Sequence, residues 1–173
     1  MTYIGIMTDK KEDLLLASLT EFFASPENLV ELENILTRKN GISLRNIEWF
    51  VTNYSKERST KFKTRSGVNI DVHIAYKSSL GGYSKRLFDP FCRTERIEFK
   101  GFITTIAQLN FIRWSIRNGI IDFIRRELPQ IHSELKGPHT RNNKDTEYTT
   151  ESTEGPVTLK TESGDLSSLR NIH

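Results

Sequence analysis

Cys92 is the single thiol of the chain. It follows Phe88 and Phe91 and precedes Arg93 and Arg96 in the run FDPFCRTER. Cationic neighbours lower a thiol's pKa, so nucleophilic chemistry is the sharpest reading of this run. That chemistry needs a base, and His73 or His132 would have to come close in space. A lone cysteine beside phenylalanines is more often a buried, inert side chain. The histidines and Cys92 stand at 73, 92, 132, 139 and 173, without paired ligand spacing, so no zinc site is expected. Gly81-Gly82 alone is no phosphate loop, and no dinucleotide fingerprint occurs. No catalytic residue, metal or cofactor is assigned, and the chain reads as non-enzymatic.

Basic side chains offer more. Residues 51–100 hold 11 basic and 5 acidic residues, a net +6, whereas the whole chain carries only +3. Lys56, Arg58, Lys61, Lys63 and Arg65 could neutralise phosphates, with Tyr54 and Phe62 among them as stacking groups. Lys85 and Arg86 precede the Phe88–Phe91 run, and Arg93 and Arg96 follow it. Such an aromatic patch rimmed by cations also suits protein docking. Arg113 and Arg117 share a helix face four residues apart, with Arg125 and Arg126 beyond. The stretch Thr105 to Leu128, with Gly119 near its centre, loosely suits a helix-turn-helix. The plainer alternative for all these cations is a solvated basic face.

The elements that would position these groups are mainly helical. Leu14, Leu15, Leu19, Phe22 and Phe23 follow acidic Glu12 and Asp13 at helical spacing. Ser25-Pro26 restarts a second helix, with Ser25 as cap, and Asn40-Gly41 ends it. Leu44, Ile47, Phe50, Val51 and Tyr54 predict a third helix behind Ser43. Lys56 to Gly67 reads as an exposed loop or edge hairpin. Val72 to Leu80 is helical, weakened at Gly81-Gly82, and extends to Phe88 before Asp89-Pro90 stops it. Arg96 to Phe99 alternates like a short strand. Thr104-Thr105 caps a strong helix from Ile106. Asn118-Gly119 interrupts it, and apolar spacing resumes from Ile120 until Pro129.

These elements predict a mainly α (α+β) fold: a compact helical domain with a short β element. A helical hairpin over 1–42 packs on a core of 43–136. All ten Phe and both Trp lie before Gly137, while residues 137–173 hold 11 Ser or Thr. That stretch cannot offset its ordering entropy and is expected to be a disordered polar tail. One cysteine excludes an internal disulfide and fits a reducing compartment. The start lacks the pattern of a signal peptide, and no run approaches the roughly 18 apolar residues of a membrane span.

Three blocks carry a family likeness: NIEWFVTNYSKE at 46–57, YKSSLGGYSKRLFDPFCRTERIEF at 76–99, and TTIAQLNFIRWSIRNGIIDFI at 104–124. Together they resemble a family of small proteins of large nucleocytoplasmic DNA viruses that includes the iridovirus immediate-early proteins. Ala107 stands where that family usually has glycine, and Ile112 where it has phenylalanine; both keep an apolar helix. The resemblance implies a viral protein of the host cell, in cytoplasm or nucleus, often made early, and lends no catalytic residue. The partner expected is DNA, RNA or a nucleic-acid-associated protein, with no membrane. A minor virion-associated protein is the alternative, and an enzyme of unknown type the third.

Overall fold

The computed structural model describes residues 10–131 and residue 133. The expected polar tail over 137–173 and the side chain of His132 lie outside the described residues. The chain divides after Glu127 into a unit Met1–Glu127 and a unit Leu128–His173. The described residues of the second unit are helical.

Two helices open the first unit, α1 (Lys10–Phe22) and α2 (Pro26–Thr37). Ser25 takes the extended cap conformation, and Pro26 begins the helix as expected. The Ser25 side chain makes no cap hydrogen bond, however. Asn28 serves the junction instead, donating from Nδ2 to the Phe22 carbonyl at 3.0 Å and so tying the end of α1 to the start of α2. Helix α2 ends earlier than Asn40-Gly41, at Arg38, which adopts a left-handed conformation (φ 60°). Lys39 N–H then closes onto the Asn34 carbonyl at 2.9 Å.

Helix α3 (Leu44–Trp49) starts at a reciprocal cap. Ser43 N–H donates to Asn46 Oδ1 at 2.8 Å, and Asn46 N–H donates to Ser43 Oγ at 3.3 Å. The helix widens into a π turn over Phe50–Tyr54 and resumes as α4 (Ser55–Arg58). Lys56 and Arg58 therefore belong to a helix rather than to the expected loop. The widening leaves the Val51 carbonyl to side chains: Ser55 Oγ donates to it at 2.9 Å and His73 Nδ1 at 3.2 Å.

The expected hairpin follows, β1 (Lys61–Lys63) pairing antiparallel with β2 (Asn69–Asp71), Phe62 opposite Ile70. Asp71 caps α5 (Val72–Tyr83), accepting from Ile74 N–H at 3.2 Å. That helix runs through Gly81-Gly82, where the backbone stands in open space. After Ser84 comes the single turn α6 (Lys85–Phe88).

The strand expected near Arg96 is β3 (Ile97–Phe99), and it has a partner the sequence did not announce, β4 (Phe102–Thr104). Lys100 (φ 52°) and Gly101 (φ 89°) form the connection. Two successive positive φ values are what a type I′ hairpin turn demands, and glycine meets the second without strain. Thr105 then caps α7 (Ile106–Arg117), its hydroxyl accepting from Gln108 N–H at 3.1 Å. Asn118-Gly119 separates α7 from α8 (residues 120–131), which runs through Pro129 instead of stopping there.

Helix α7 is the centre of the unit. Ala107 and every residue from Leu109 to Ser115 are buried, so the helix is enclosed on all sides. Phe88 from α6 and Tyr76 from α5 pack on Phe111 and Trp114 at centroid distances of 5.5–6.3 Å. Burial also holds the Tyr76 phenol up at about 12, helped by the charges of Asp89 and Glu48. A second aromatic group joins Phe50, Tyr54, Phe62 and Phe123. The fold is mainly α with two short hairpins, as the sequence predicts. No helix among the described residues is long and apolar enough to cross a membrane.

Candidate nucleic-acid interface

The dense basic run divides once it folds. Pairing on β1 sends Lys61 and Lys63 outward on one face and Phe62 inward on the other. Lys61 meets Asp71 across the hairpin at 3.6 Å, and Arg65 meets Asp122 of α8 at 3.5 Å. Lys56 and Lys63 are exposed and carry no ion pair among the described residues. The guanidinium of exposed Arg58 lies 5.0 Å from the Tyr54 ring centroid.

Neither expected stacking group is free. Tyr54 is buried against Phe50, and Phe62 stacks on Phe123 at 4.7 Å. Both rings are needed to seat the hairpin on the helices.

Arg113 is not a surface cation. It shares a face with Arg117 as expected, but at Arg113 that face meets α1 instead of solvent. Arg113 is 4% exposed and donates to Ser18 Oγ at 2.6 Å and Asn110 Oδ1 at 3.0 Å. A further hydrogen bond joins it to Tyr83, and burial lowers its pKa. Arg117 is exposed yet lies 5.1 Å from the Phe22 ring of α1. Lys85 is exposed and paired with Asp89 at 2.9 Å, the hydrogen bond that raises its pKa. Arg86 is paired with Glu12.

Arg93 and Arg96 share the exposure of Lys56 and Lys63 but differ from them in standing in a concave site. Both are exposed, neither carries an ion pair among the described residues, and both line a cleft of about 360 Å³. Its other walls include Phe91, Cys92, Thr105 and Gln108. A second cleft of about 380 Å³ shares Phe91, Arg96 and Gln108 with the first, and adds Arg38 and Arg45 with the apolar Leu44 and Ile103. Four guanidinium-bearing residues thus line two clefts in which no lining residue among the described residues is acidic. Such a surface attracts anions, and the planar, forked arginine group suits phosphate.

The elements explain the convergence. Arg38 sits at the left-handed end of α2, Arg45 in the first turn of α3, and Arg93 and Arg96 on the link between α6 and β3. The start of α7 adds its N-terminal dipole beneath them through Thr105. Gln108 braces the floor, accepting from Thr104 Oγ1 at 2.7 Å and donating to the Pro90 carbonyl at 3.2 Å. Sequence reasoning singled out Arg93 and Arg96 but missed Arg38, Arg45 and Gln108. The local signals were an arginine beside each helix boundary, Arg38 and Arg45, and Gln108 three residues after the Thr105 cap.

Cys92 is half-buried in the first cleft. His73 is not among that cleft's walls and bonds Val51 instead, so it does not serve the thiol, and the other expected base, His132, lies outside the described residues. Among the described residues no three of His, Cys, Asp and Glu converge as a metal site would require.

A family model described as "Family of unknown function (DUF7197)" matches residues 5–166. "Uncharacterized protein L507" of Acanthamoeba polyphaga mimivirus is 33% identical over 169 residues, which is 90% of this chain and 65% of that protein. The chain therefore spans somewhat less than two thirds of that relative's length. No solved structure matches the chain.

Proposed function

The chain belongs to the family of unknown function DUF7197, and from that premise we propose that it is a non-enzymatic viral protein that binds nucleic acid. The phosphate backbone is held by Arg38, Arg45, Arg93 and Arg96 in the two clefts flanking Phe91. One observation carries this reading: among the described residues the clefts are lined by four arginines and no carboxylate. Neutralising each phosphate releases condensed counterions, so a surface of this kind binds with strong salt dependence. Lys56, Arg58 and Lys63 on the hairpin side add a weaker, less concave attraction. The mimivirus relative supports a viral setting. The likeness of three sequence blocks to iridovirus immediate-early proteins extends the proposal to an early role inside the infected cell.

The test is fluorescence anisotropy of the purified chain with labelled mixed-sequence DNA and RNA across a salt titration. If all four arginines engage, the log–log slope on single strands is about −2.8, at about −0.7 for each phosphate. Arg93→Glu with Arg96→Glu should weaken binding at low salt at least tenfold and flatten the slope. Charge reversal of Lys61, Lys63 and Arg65 should do much less. Absence of binding at low salt, or indifference to the Arg93/Arg96 reversal, overturns the proposal.

A further inference from the structure

Phe91 is 47% exposed and stands between the two clefts, contributing to both. Single exposed apolar residues are ordinary on protein surfaces, so exposure alone carries nothing. What distinguishes Phe91 is how firmly it is held there. Pro90 before it is buried, and the Phe91 N–H donates to Asp89 Oδ1 at 2.9 Å. Cys92 N–H closes the turn onto the Asp89 carbonyl at 3.1 Å, and Gln108 holds the Pro90 carbonyl from below. Lys85 fixes the other Asp89 oxygen at 2.9 Å. The ring is thus presented by a braced loop, so little ordering cost remains when a ligand meets it.

Its surroundings define the ligand. Arg45 places its guanidinium 5.7 Å from the ring centroid, and Arg93 and Arg96 lie along the same walls. An aromatic ring among arginines, with no acid on the walls among the described residues, offers stacking and phosphate contact together. That is the pairing used for single strands, whose bases can leave the stack. A duplex keeps its bases stacked on one another and offers such a ring nothing to stack against.

Resting on the nucleic-acid reading above, we infer that the clefts select single-stranded polynucleotide, with an unpaired base stacked on Phe91 while the arginines take the flanking phosphates. Every base has a π face, so the selection is for strandedness and carries little sequence preference. DNA and RNA share this chemistry, and the two are compared directly in the test.

The probes are single-stranded DNA, single-stranded RNA, a matched DNA duplex and inorganic polyphosphate, which has the charge but no bases. The wild-type chain should bind both single strands at least about fivefold more tightly than the duplex, the low end for one base–aromatic stack. Polyphosphate should compete correspondingly poorly at equal phosphate concentration. Phe91→Ala should erase that preference while leaving duplex and polyphosphate binding in place, and Phe91→Tyr should restore it. Single-strand binding unaffected by Phe91→Ala, or duplex binding as tight as single-strand binding, overturns this inference and leaves the arginine reading intact. Absence of binding to every probe removes both.

Discussion

Truncating Asn110 to alanine probes the network that holds α7 to the elements carrying the clefts. Asn110 is 1% exposed; its Nδ2 donates to the Leu87 carbonyl at 2.9 Å and its Oδ1 accepts from Arg113 at 3.0 Å. Through Arg113 the network reaches Ser18 on α1 and Tyr83 on α5. Alanine leaves a carbonyl and a guanidinium N–H buried without partners. Each such group costs about 1–3 kcal/mol. Arg113 keeps its bonds to Ser18 and Tyr83, which favours the lower half of the summed range, about 3 kcal/mol. Equilibrium unfolding in urea, followed by the fluorescence of Trp49 and Trp114, reads this directly. With an m-value of about 2 kcal/mol/M, the midpoint falls by about 1.5 M at unchanged m. The folded variant should bind nucleic acid as the wild type does, because Arg113 is a structural cation. A midpoint loss under about 0.5 M would refute the reasoning, since the orphaned groups would then have found water.

Two further outcomes follow from single residues. Burial raises the pKa of Glu48 from 4.5 against the opposing hydrogen bond of Thr52, with Asp89 adding to the rise and Arg45 and Lys85 opposing it. The folded state therefore keeps this proton longer than the unfolded chain, and stability falls as pH rises from 4.5 through the raised folded value. Glu48→Gln should match the wild type below that window and gain on it above; a difference that stays flat from pH 4 to 7 would contradict the assignment. Gly119 has φ 71°, and an added Cβ would sit 3.4 Å from Phe62 Cε2, so Gly119→Ala should cost about 1–2 kcal/mol through left-handed strain. A thermal melt should show a fall of roughly 5 °C, and an unchanged melting temperature would mean that the α7–α8 junction relaxes freely.

The helices were legible because their apolar residues recur at helical spacing and their starts carry recognisable caps. Ser43 and Thr105 cap through their hydroxyls as the sequence suggests, and Ile47, Phe50, Val51 and Tyr54 of the predicted stripe are buried, with Leu44 half-buried at its start. The departures have local physical causes. The π turn at Phe50–Tyr54 lets Ser55 and His73 serve one carbonyl, and it carries the helix onward to Arg58, past the point where the polar residues suggested a loop. Strand β4 is three residues long, too short for a period of two to register, and only the turn at Lys100-Gly101 makes it a partner for β3. Helix α5 continues through two glycines, at neither of which an added side chain would meet a neighbour.

The candidate site was less legible than the fold, and the reason lies in how charge is distributed along a folded chain. Density along the sequence pointed to residues 56–65. A hairpin that dense in cations recruits acids to stay folded, and Asp71 and Asp122 partly neutralise Lys61 and Arg65. Its aromatic residues, Tyr54 and Phe62, are consumed in seating it. The arginines of the clefts are separated by as many as 58 positions, from Arg38 to Arg96, and no window along the chain brings them together. They meet because a helix end, a helix start and a proline-braced loop all close over the first turn of α7. The hairpin instead packs beside Gly119, at the far end of that helix and about 20 Å away at 1.5 Å per residue. Cations close in sequence must be kept apart or paired to fold, whereas cations brought together by the fold against an acid-free wall stay available to a ligand. The clefts around Phe91, and not the densest basic run, are therefore where an anionic partner gains most.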